Sequence, residues 1–525
     1  MKSNPRKGAL MILGTASHVG KSAITAGLGR IFADDRYRVA PFKAQNMSLN
    51  SAATPQGGEI GRAQALQAEA CRAVPRVEMN PILLKPSADT GAQVILLGKI
   101  WDQVTAADDH TRRIEQLFSI VLKAYRRLAA DHDLILLEGA GSPAEINLWE
   151  HDIVNLRMAR AADAACLLVA DIDRGGAFAS LLGTLELLEA PDRARIRGFI
   201  INKFRGDESL LRPGVALMED RLGLPCVGVV PYLPALGLEE EDGVALEDRP
   251  TVKRWKNLEA GPERALRLGV IALPHMSNFT DFDALQAEPS ISLAYLAQPR
   301  DLARADLIIL PGSKQTLDDL EWLERQGFAE ALRRQHERGV PMVGICAGFQ
   351  MLGASVEDPG GIESEGKPRK RNGLGFLPVR TVLRPEKTVR CIEGVVRGDI
   401  FGSKFCRGEI FDGYEIHVGE TFYNPDARPL AEVRCPGMAH SNPDGAVSDT
   451  ARVLGTYVHG FFDRDDFRHR FIRAARALVD LAPAHDWAQV SAERETRIDR
   501  WAGQLRKSLN MDLIKSWVAE PHAKA

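Results

Sequence analysis

The sequence predicts an α/β chain built as two domains, the first with a mainly parallel sheet and a phosphate-binding loop. Three observations carry that prediction. Short runs that are apolar throughout alternate with helix-like stretches, the pattern of parallel strands covered by helices on both faces. A glycine-rich turn, GTASHVGKS (Gly14 to Ser22), follows the first apolar run and opens a helical stretch. From about Leu236 to Glu263 the chain turns acidic and loses its periodicity, and a second series of apolar runs then begins.

The candidate strands of the first series are Ala9 to Gly14, Arg38 to Lys43, Asp133 to Gly139, Ala164 to Asp171, Ile196 to Asn202 and Cys226 to Tyr232. The second series offers Leu266 to Leu273, Ala305 to Gly312, Pro341 to Gly348 and Arg452 to Gly460, with a helical stretch from Leu317 to Arg338. Beyond Asp463 the pattern is helical to the end. There Trp501, Leu505, Leu509, Leu513 and Trp517 recur every four residues and share one slowly turning helix face. That stripe reads as a helix packed on its own protein rather than on a membrane. The expected organisation is a first domain at 1–235, a linker at 236–264, a second domain at 265–475 and a helical extension at 476–525.

Composition narrows the function. Charged residues make up 26% of the 525 positions, and the formal net charge is −3 with no long block of one sign. Nucleic acid is therefore not the expected main partner. No apolar run approaches the roughly 18 residues that cross a bilayer, and the apolar stretch near the N-terminus is too short for a signal peptide. Seven cysteines, an odd number without paired CxxC spacing, give neither a disulfide framework nor a metal spacing. The expectation is a large cytoplasmic enzyme with reduced thiols, with homo-oligomerisation left open.

The Gly14–Ser22 turn stands where backbone N–H groups at a helix N-terminus, aided by the helix dipole, attract an anion. Gly14, Thr15 and Gly20 would form the cradle, Lys21 would reach terminal phosphates, and the Ser22 hydroxyl would bind Mg²⁺. Five residues separate Gly14 from Gly20, one more than G-x-x-x-x-G-K-[ST] allows. The longer loop resembles the dethiobiotin-synthetase group of P-loop enzymes. Glu138 ends a strongly apolar strand just before a glycine-rich turn. A carboxylate there is costly unless paired or metal-bound, so Glu138 is the second candidate metal ligand. Asp171 and Asp173 present the same argument at another strand end, and Arg174 with the glycines after it would meet a substrate carboxylate or a migrating phosphoryl group, which makes Asp173 and Arg174 candidate substrate contacts. Asn202, after a further strand, would read an adenine edge.

PMVGICAGFQ (Pro341 to Gln350) is a strand, a G-x-C-x-G turn and the start of a helix. Small residues on either side of Cys346 permit a sharp strand-to-helix turn that exposes the thiol, and the helix N-terminus favours a thiolate. His459 ends another strand and is the natural partner base. GICAGFQ with the distant YVHG resembles a class I, triad-type glutamine amidotransferase domain. ILPGSKQT resembles that family's oxyanion strand, which implies backbone N–H groups at Ala347 and near Ser313. Many members carry Glu two residues after the His, but Phe461 stands there, so only Cys346 and His459 are assigned.

The combination extends the resemblance. PFKAQNMSLNS, EGAGSPAEINL, DIDRGGAFAS and LPHMSNFTDFDAL, with GYEIHVGET, are similar to strings of the cobyric acid synthase family over nearly the whole chain. The resemblance implies ATP, Mg²⁺ and glutamine, a corrinoid small-molecule substrate, and amidation of its peripheral carboxylates in cobalamin synthesis. It further implies that Lys43, Gln45 and Asn46 contact that substrate. Cobyrinic acid a,c-diamide synthase shares the two-domain plan, but AQNMSLNS and SNFTDFDAL fit it less well. CTP synthase lacks support in the nucleotide motifs. A MinD-like membrane-switch ATPase is the rival from another class, through the Trp501 to Trp517 stripe.

Overall fold

The computed structural model describes residues 8–88, 91–103, 110–233, 255, 261–364 and 366–519. The expected linker at 236–264 thus lies largely outside the described residues. Among those residues the chain divides into two compact units: Met1–Ser48 with Ile60–Glu241 and Arg494–Ala525, and Leu49–Glu59 with Asp242–Glu493. The division departs from a simple cut at the linker in two places. Residues 49–59 leave the first unit for the second, and the C-terminal helices return to the first.

The first unit is built on strands β1 (Gly8–Gly14), β2 (Val39–Phe42), β3 (Leu134–Glu138), β4 (Ala165–Asp171), β5 (Ile196–Phe204) and β6 (Cys226–Pro231). They pair in parallel in the order β6-β5-β4-β1-β3-β2. β1, β3 and β4 are buried almost end to end, as their uninterrupted apolar runs require. The chain leaves β1 for β2 on one side of β3 and later returns to β4 on the other side of β1. That reversal opens a crevice at the carboxyl ends of β1, β3 and β4, the place where open α/β sheets bind ligands.

The C-terminal stripe lies on two helices, Val490–Ser508 and Met511–Ala519, rather than on one. The break has a local cause. Leu509 forms a bridge with Gly228, Asn510 donates its N–H to Val227, and the Asn510 side chain accepts the Leu513 N–H. The chain thus pairs briefly with the β6 edge before a new helix starts on an Asn cap. Trp501, Leu505, Leu509 and Trp517 are buried with Leu10, Ile12, Ile24 and Leu28, and Leu513 is half-buried. Trp501 Nε1 donates to the Ala23 carbonyl at 2.6 Å. Fully buried Arg30 pairs with Glu495 at 2.9 Å and Asp499 at 2.8 Å. This face is core, so the surface that a membrane-switch helix needs is already spent. No helix among the described residues is long and apolar enough to cross a membrane.

The second unit has a sheet of β7 (Leu266–Ile271), β8 (Ile291–Leu296), β9 (Leu307–Leu310), β10 (Met342–Ile345), β11 (Ala446–Val447) and β12 (Val453–Thr456). Its order is β8-β7-β9-β10-β12-β11, parallel except for the β11–β12 edge. The helical stretch expected at Leu317 to Arg338 is two helices, Thr316–Arg325 and Phe328–Glu337, because Gly327 takes φ 80° between them. A second layer, which the sequence pattern did not announce, is a long antiparallel pair, Val379–Val396 with Ile410–Tyr423. After β12 the chain changes sheets: Val458–His459 pairs with Tyr414 and Glu415 of that pair. Asp444 secures the crossing, accepting from the Thr456 hydroxyl at 2.5 Å and the Tyr457 N–H at 3.1 Å.

The packing of the C-terminal helices gives a stability prediction. Trp501→Ala deletes a buried aromatic and its hydrogen bond and should destabilise the first unit by about 3–5 kcal/mol. Leu513→Ala, at a half-buried position, should cost well under half of that. Chemical denaturation of the two variants beside the parent, with limited proteolysis to follow the first unit, measures the difference.

Candidate functional site

The phosphate loop is shaped by the residues beneath it. Thr15 N–H donates to Val169 of β4, and the Asn202 amide at the end of β5 donates to the Val19 carbonyl at 2.8 Å. Gly20 takes φ 99°, and a Cβ there would lie 2.2 Å from Asn202 Nδ2, so glycine is the residue that lets the strut seat. The helix Lys21–Asp34 begins immediately after it. Lys21 Nζ donates to the Ala16 and Gly141 carbonyls, both at 3.0 Å, which sets its ammonium between the loop and the turn after β3. Asn202 is placed here as a brace of the loop.

Glu138, 1% exposed, is the centre of this site. Its Oε1 accepts from Ser22 Oγ at 2.8 Å and pairs with Lys43 Nζ at 3.0 Å, and its Oε2 accepts from Gln67 Nε2. A buried carboxylate is tolerable only with such partners. Lys43 is therefore brought to the phosphate loop. Asn46 is buried against Gln64, its Nδ2 donating at 2.9 Å, and Gln45 is half-buried. Asp171 bonds Lys203, whose Nζ also reaches the His18 carbonyl of the loop. Asp173 pairs with Arg205 at the surface, beside exposed Arg174.

The second site assembles where β10 and β12 end side by side. Ile345 pairs with Thr456, and Cys346 N–H donates to the Thr456 carbonyl at 2.8 Å. Cys346 takes φ 52° and ψ −109° and caps the helix Ala347–Leu352. A non-glycine residue held there is strained, and such strain at a reactive side chain is the mark of a nucleophile elbow. Gly348 makes the turn fit: a Cβ would sit 2.0 Å from the Leu310 carbonyl of β9. The Cys346 Sγ lies 3.6 Å from the Ile416 carbonyl.

His459 is 2% exposed, and its Nδ1–H donates to Asp281 Oδ2 at 2.7 Å. The other Asp281 oxygen accepts the Gly460 N–H at 3.0 Å. Burial alone would push His459 down, but the charges of Asp281 and Cys346, with hydrogen bonds to both, outweigh it and raise the imidazole to about 10. A second histidine, half-buried His417, stacks on Tyr457 at 3.8 Å. Burial pushes it down to about 3, so it stays neutral. Of these two, His459 is the one held by a carboxylate, Asp281, with Cys346 beside it.

Asp281 is the residue that the sequence reading left unassigned. It lies 178 positions before His459, in the SNFTDFDAL string. The position two after His459 is Phe461, buried against Phe411 and Phe467, so the usual place for a third member is core. The one local signal is a charge set between aromatic residues, Asp281 flanked by Phe279, Thr280 and Phe282, and it does not name a partner.

The loop after β9 completes the surroundings. Ser313 Oγ donates to Asp319 at 2.6 Å, and Asp319 also accepts from His275 Nδ1 at 2.8 Å. The Asp319 carboxylate raises the pKa of His275 against its partial burial. Ser313 bridges Met276 with the outer pair of bonds, Ser277 N–H to Gly312 and Lys314 N–H to His275. In that register the Ser313 N–H points away from Met276. Gly312 lies against the imidazole, 3.1 Å from a notional Cβ to His459 Cε1.

Comparison with known proteins agrees with both halves. The family described as a CobQ/CobB/MinD/ParA nucleotide binding domain matches residues 10–246. The family described as a CobB/CobQ-like glutamine amidotransferase domain matches residues 267–467. The chain is 46% identical to cobyric acid synthase of Moorella thermoacetica, over 96% of each chain. It is 46% identical to the Yersinia enterocolitica protein of that name, over 96% of this chain and 97% of the other. The Carboxydothermus hydrogenoformans protein is 44% identical, over 96% and 98%. With a cysteine elbow in one unit, a phosphate loop in the other and this identity along its length, the chain belongs to the cobyric acid synthase family, the glutamine-hydrolysing amidotransferase ligases of cobalamin biosynthesis.

Proposed function

We propose that the chain converts adenosylcobyrinic acid a,c-diamide to adenosylcobyric acid by successive amidation of the b, d, e and g carboxylates, in the cytoplasm, with ATP and glutamine. The observation that carries this reading is the pairing of a strained Cys346 beside an Asp281-supported His459 with a phosphate loop on the same chain.

Nitrogen release starts at Cys346. Its thiolate attacks the side-chain carbonyl of glutamine, and the His459 imidazolium gives its proton to the departing ammonia. Neutral His459 then draws a proton from the water that hydrolyses the thioester, releasing glutamate and restoring the pair. Asp281 holds the imidazole in one orientation and stabilises its charged form. The Ala347 N–H at the helix start and the Ser313 N–H are the proposed donors to the oxyanion.

Carboxylate activation belongs to the other unit. A substrate carboxylate oxygen attacks the terminal phosphorus of ATP, ADP leaves, and ammonia then displaces phosphate from the acyl phosphate. Lys21 is assigned to the transferring charge and Gly14, Thr15 and Gly20 to the cradle. Asn202 would hold the loop, and Asp173 and Arg174 remain candidates for substrate contact with Lys43, Gln45 and Asn46. The donor set suits Mg²⁺: one hydroxyl and one carboxylate, Ser22 and Glu138, 2.8 Å apart, with phosphates to supply the rest. Among the described residues no group of three or more His, Cys, Asp or Glu is arranged to hold a metal alone. When bound, the ion would neutralise phosphate charge.

Division of labour gives the first test. Cys346→Ser should lose glutamine-dependent amidation by several orders of magnitude and keep amidation with high ammonium at mildly alkaline pH. Lys21→Ala should lose both. Parallel assays with the two nitrogen sources, counting amides by mass spectrometry, decide it; near-normal glutamine use by Cys346→Ser would refute the cysteine assignment.

The Asp281 charge gives the second. The imidazolium is lost as pH rises through the His459 pKa, so the alkaline limb of glutamine-dependent kcat follows that value. Asp281→Asn removes the largest raising influence and leaves burial opposed by Cys346 alone, so the limb should move to lower pH and kcat should fall by roughly 10²–10⁴. The ammonium-dependent profile should not move. An unchanged glutamine profile would remove Asp281 from the triad.

A further inference from the structure

Residues 49–59 belong by sequence to the phosphate-binding half, between the strand Gln45–Met47 and the helix Arg62–Ala70. Their contacts belong to the second unit, and they gather on the residues that position His459. Asn50, 1% exposed, accepts the Phe279 N–H on its Oδ1 at 3.2 Å. Ser51 N–H donates to Asn278 Oδ1 at 3.3 Å. Asn278 sits at φ 51°, and its carbonyl accepts the Asp281 N–H at 3.0 Å. Its Nδ2 donates to the Tyr414 hydroxyl at 3.4 Å, and the Tyr414 ring stacks on His459 at 5.5 Å. Ala53 packs on Tyr414 and Ile416 and accepts from Cys391 Sγ. Glu59, fully buried, is anchored by Lys387.

The ends of this excursion lead to the other site. Seven residues before Asn50 stands Lys43, and eight after Glu59 stands Gln67, both on Glu138 beside Ser22. Asn80 ties the two ends together, donating to the Lys43 carbonyl at 3.2 Å and accepting the Gly61 N–H at 2.9 Å. One short span of chain therefore has its base on the phosphate-site carboxylate and its tip on the turn that carries Asp281. Lys43 and Ser22 share one oxygen of Glu138, so a cation arriving there competes with Lys43 directly.

We propose that residues 49–59 couple the two chemistries: Asn50 and Ser51 are positioning residues that hold the Asn278–Asp281 turn, and hence His459, in register with the state of the phosphate site. This rests on the amidotransferase reading of Cys346 and Asp281. The physical route is short. The two hydrogen bonds fix a left-handed Asn and the N-terminus of the turn Phe279–Phe282. A displacement of the Asp281 carboxylate by about 1 Å costs on the order of 100-fold in a reaction that depends on alignment. The advantage for the enzyme is that glutamine is not hydrolysed while no carboxylate is activated.

The test uses full-length Asn50→Ala and Asn278→Ala beside the parent. Both are predicted to lose roughly 10–100-fold in glutamine-dependent kcat, with KM for glutamine within about threefold. The alkaline limb of that profile should move to lower pH, as Asp281 loosens from His459, and ammonium-dependent amidation should stay within about twofold. A second readout needs no turnover: alkylation of Cys346 by iodoacetamide, followed by mass spectrometry, with and without Mg²⁺ and a non-hydrolysable ATP analogue. The parent rate should change severalfold on adding the nucleotide, and the Asn50→Ala rate should not respond. A parent rate indifferent to the nucleotide, or an Asn50→Ala response equal to the parent's, overturns the coupling. Equal loss of glutamine- and ammonium-dependent activity overturns it too, since that is what a general structural defect gives. Cys346→Ser run in the same assays separates the two claims: if that variant keeps glutamine use, the amidotransferase reading fails, and otherwise only the coupling is at stake.

Discussion

The hydrogen bond from His459 to Asp281 is the interaction on which the second unit is organised. Both partners are buried, and an unpaired charge in either place would be prohibitive. Bringing them together depends on two distant segments of chain. The turn Phe279–Phe282 delivers the aspartate, β12 carries the chain alongside the cysteine strand, and the change of sheet at Tyr457 turns His459 toward both. The long antiparallel pair then acquires a purpose beyond covering the core. It presents Tyr414 to the imidazole face and the Ile416 carbonyl to the thiol. A strained φ at Cys346 persists because the Thr456 carbonyl, Gly348 and the helix start together over-determine it.

The first unit solves a related problem with opposite signs. Glu138 ends a strand with no exposure to water, and a lysine, a hydroxyl and an amide share its charge. In both units the reactive groups sit at carboxyl ends of parallel strands, where the chain must turn and where backbone N–H groups of the next helix face outward. That placement lets rigid strands set positions to a fraction of an ångström while the turns remain free to carry chemistry.

Much of this was legible in the sequence, for identifiable reasons. Parallel strands such as Leu134–Glu138 and Ala165–Asp171 are buried on both faces, so their apolar runs announce them and their ends. Cys346 and His459 could be paired because each ends such a run. Asp281 was not, because its place is set by a turn far away in sequence, and no local spacing encodes a contact across 178 residues. The antiparallel layer was hidden for another reason: Val379–Val396 mixes exposed and buried positions without clean alternation, so its period is weak. The C-terminal stripe was seen, but a four-residue repeat cannot reveal that Leu509 and Asn510 leave the helix to pair with a strand edge. Residues 49–59 read as part of the first half because only tertiary contacts assign them to the second.

The most direct measurement of the central claim is the protonation state of His459 itself. ¹⁵N-histidine-labelled protein, with His459→Gln to assign the signal, reports both ring nitrogens across pH. Both nitrogens are expected to stay protonated well above neutrality, toward the value of about 10 set by Asp281 and Cys346 against burial, and Asp281→Asn is expected to bring the titration down. A His459 that titrates near the ordinary value of about 6.5 in the parent, unaffected by Asp281→Asn, would contradict that claim.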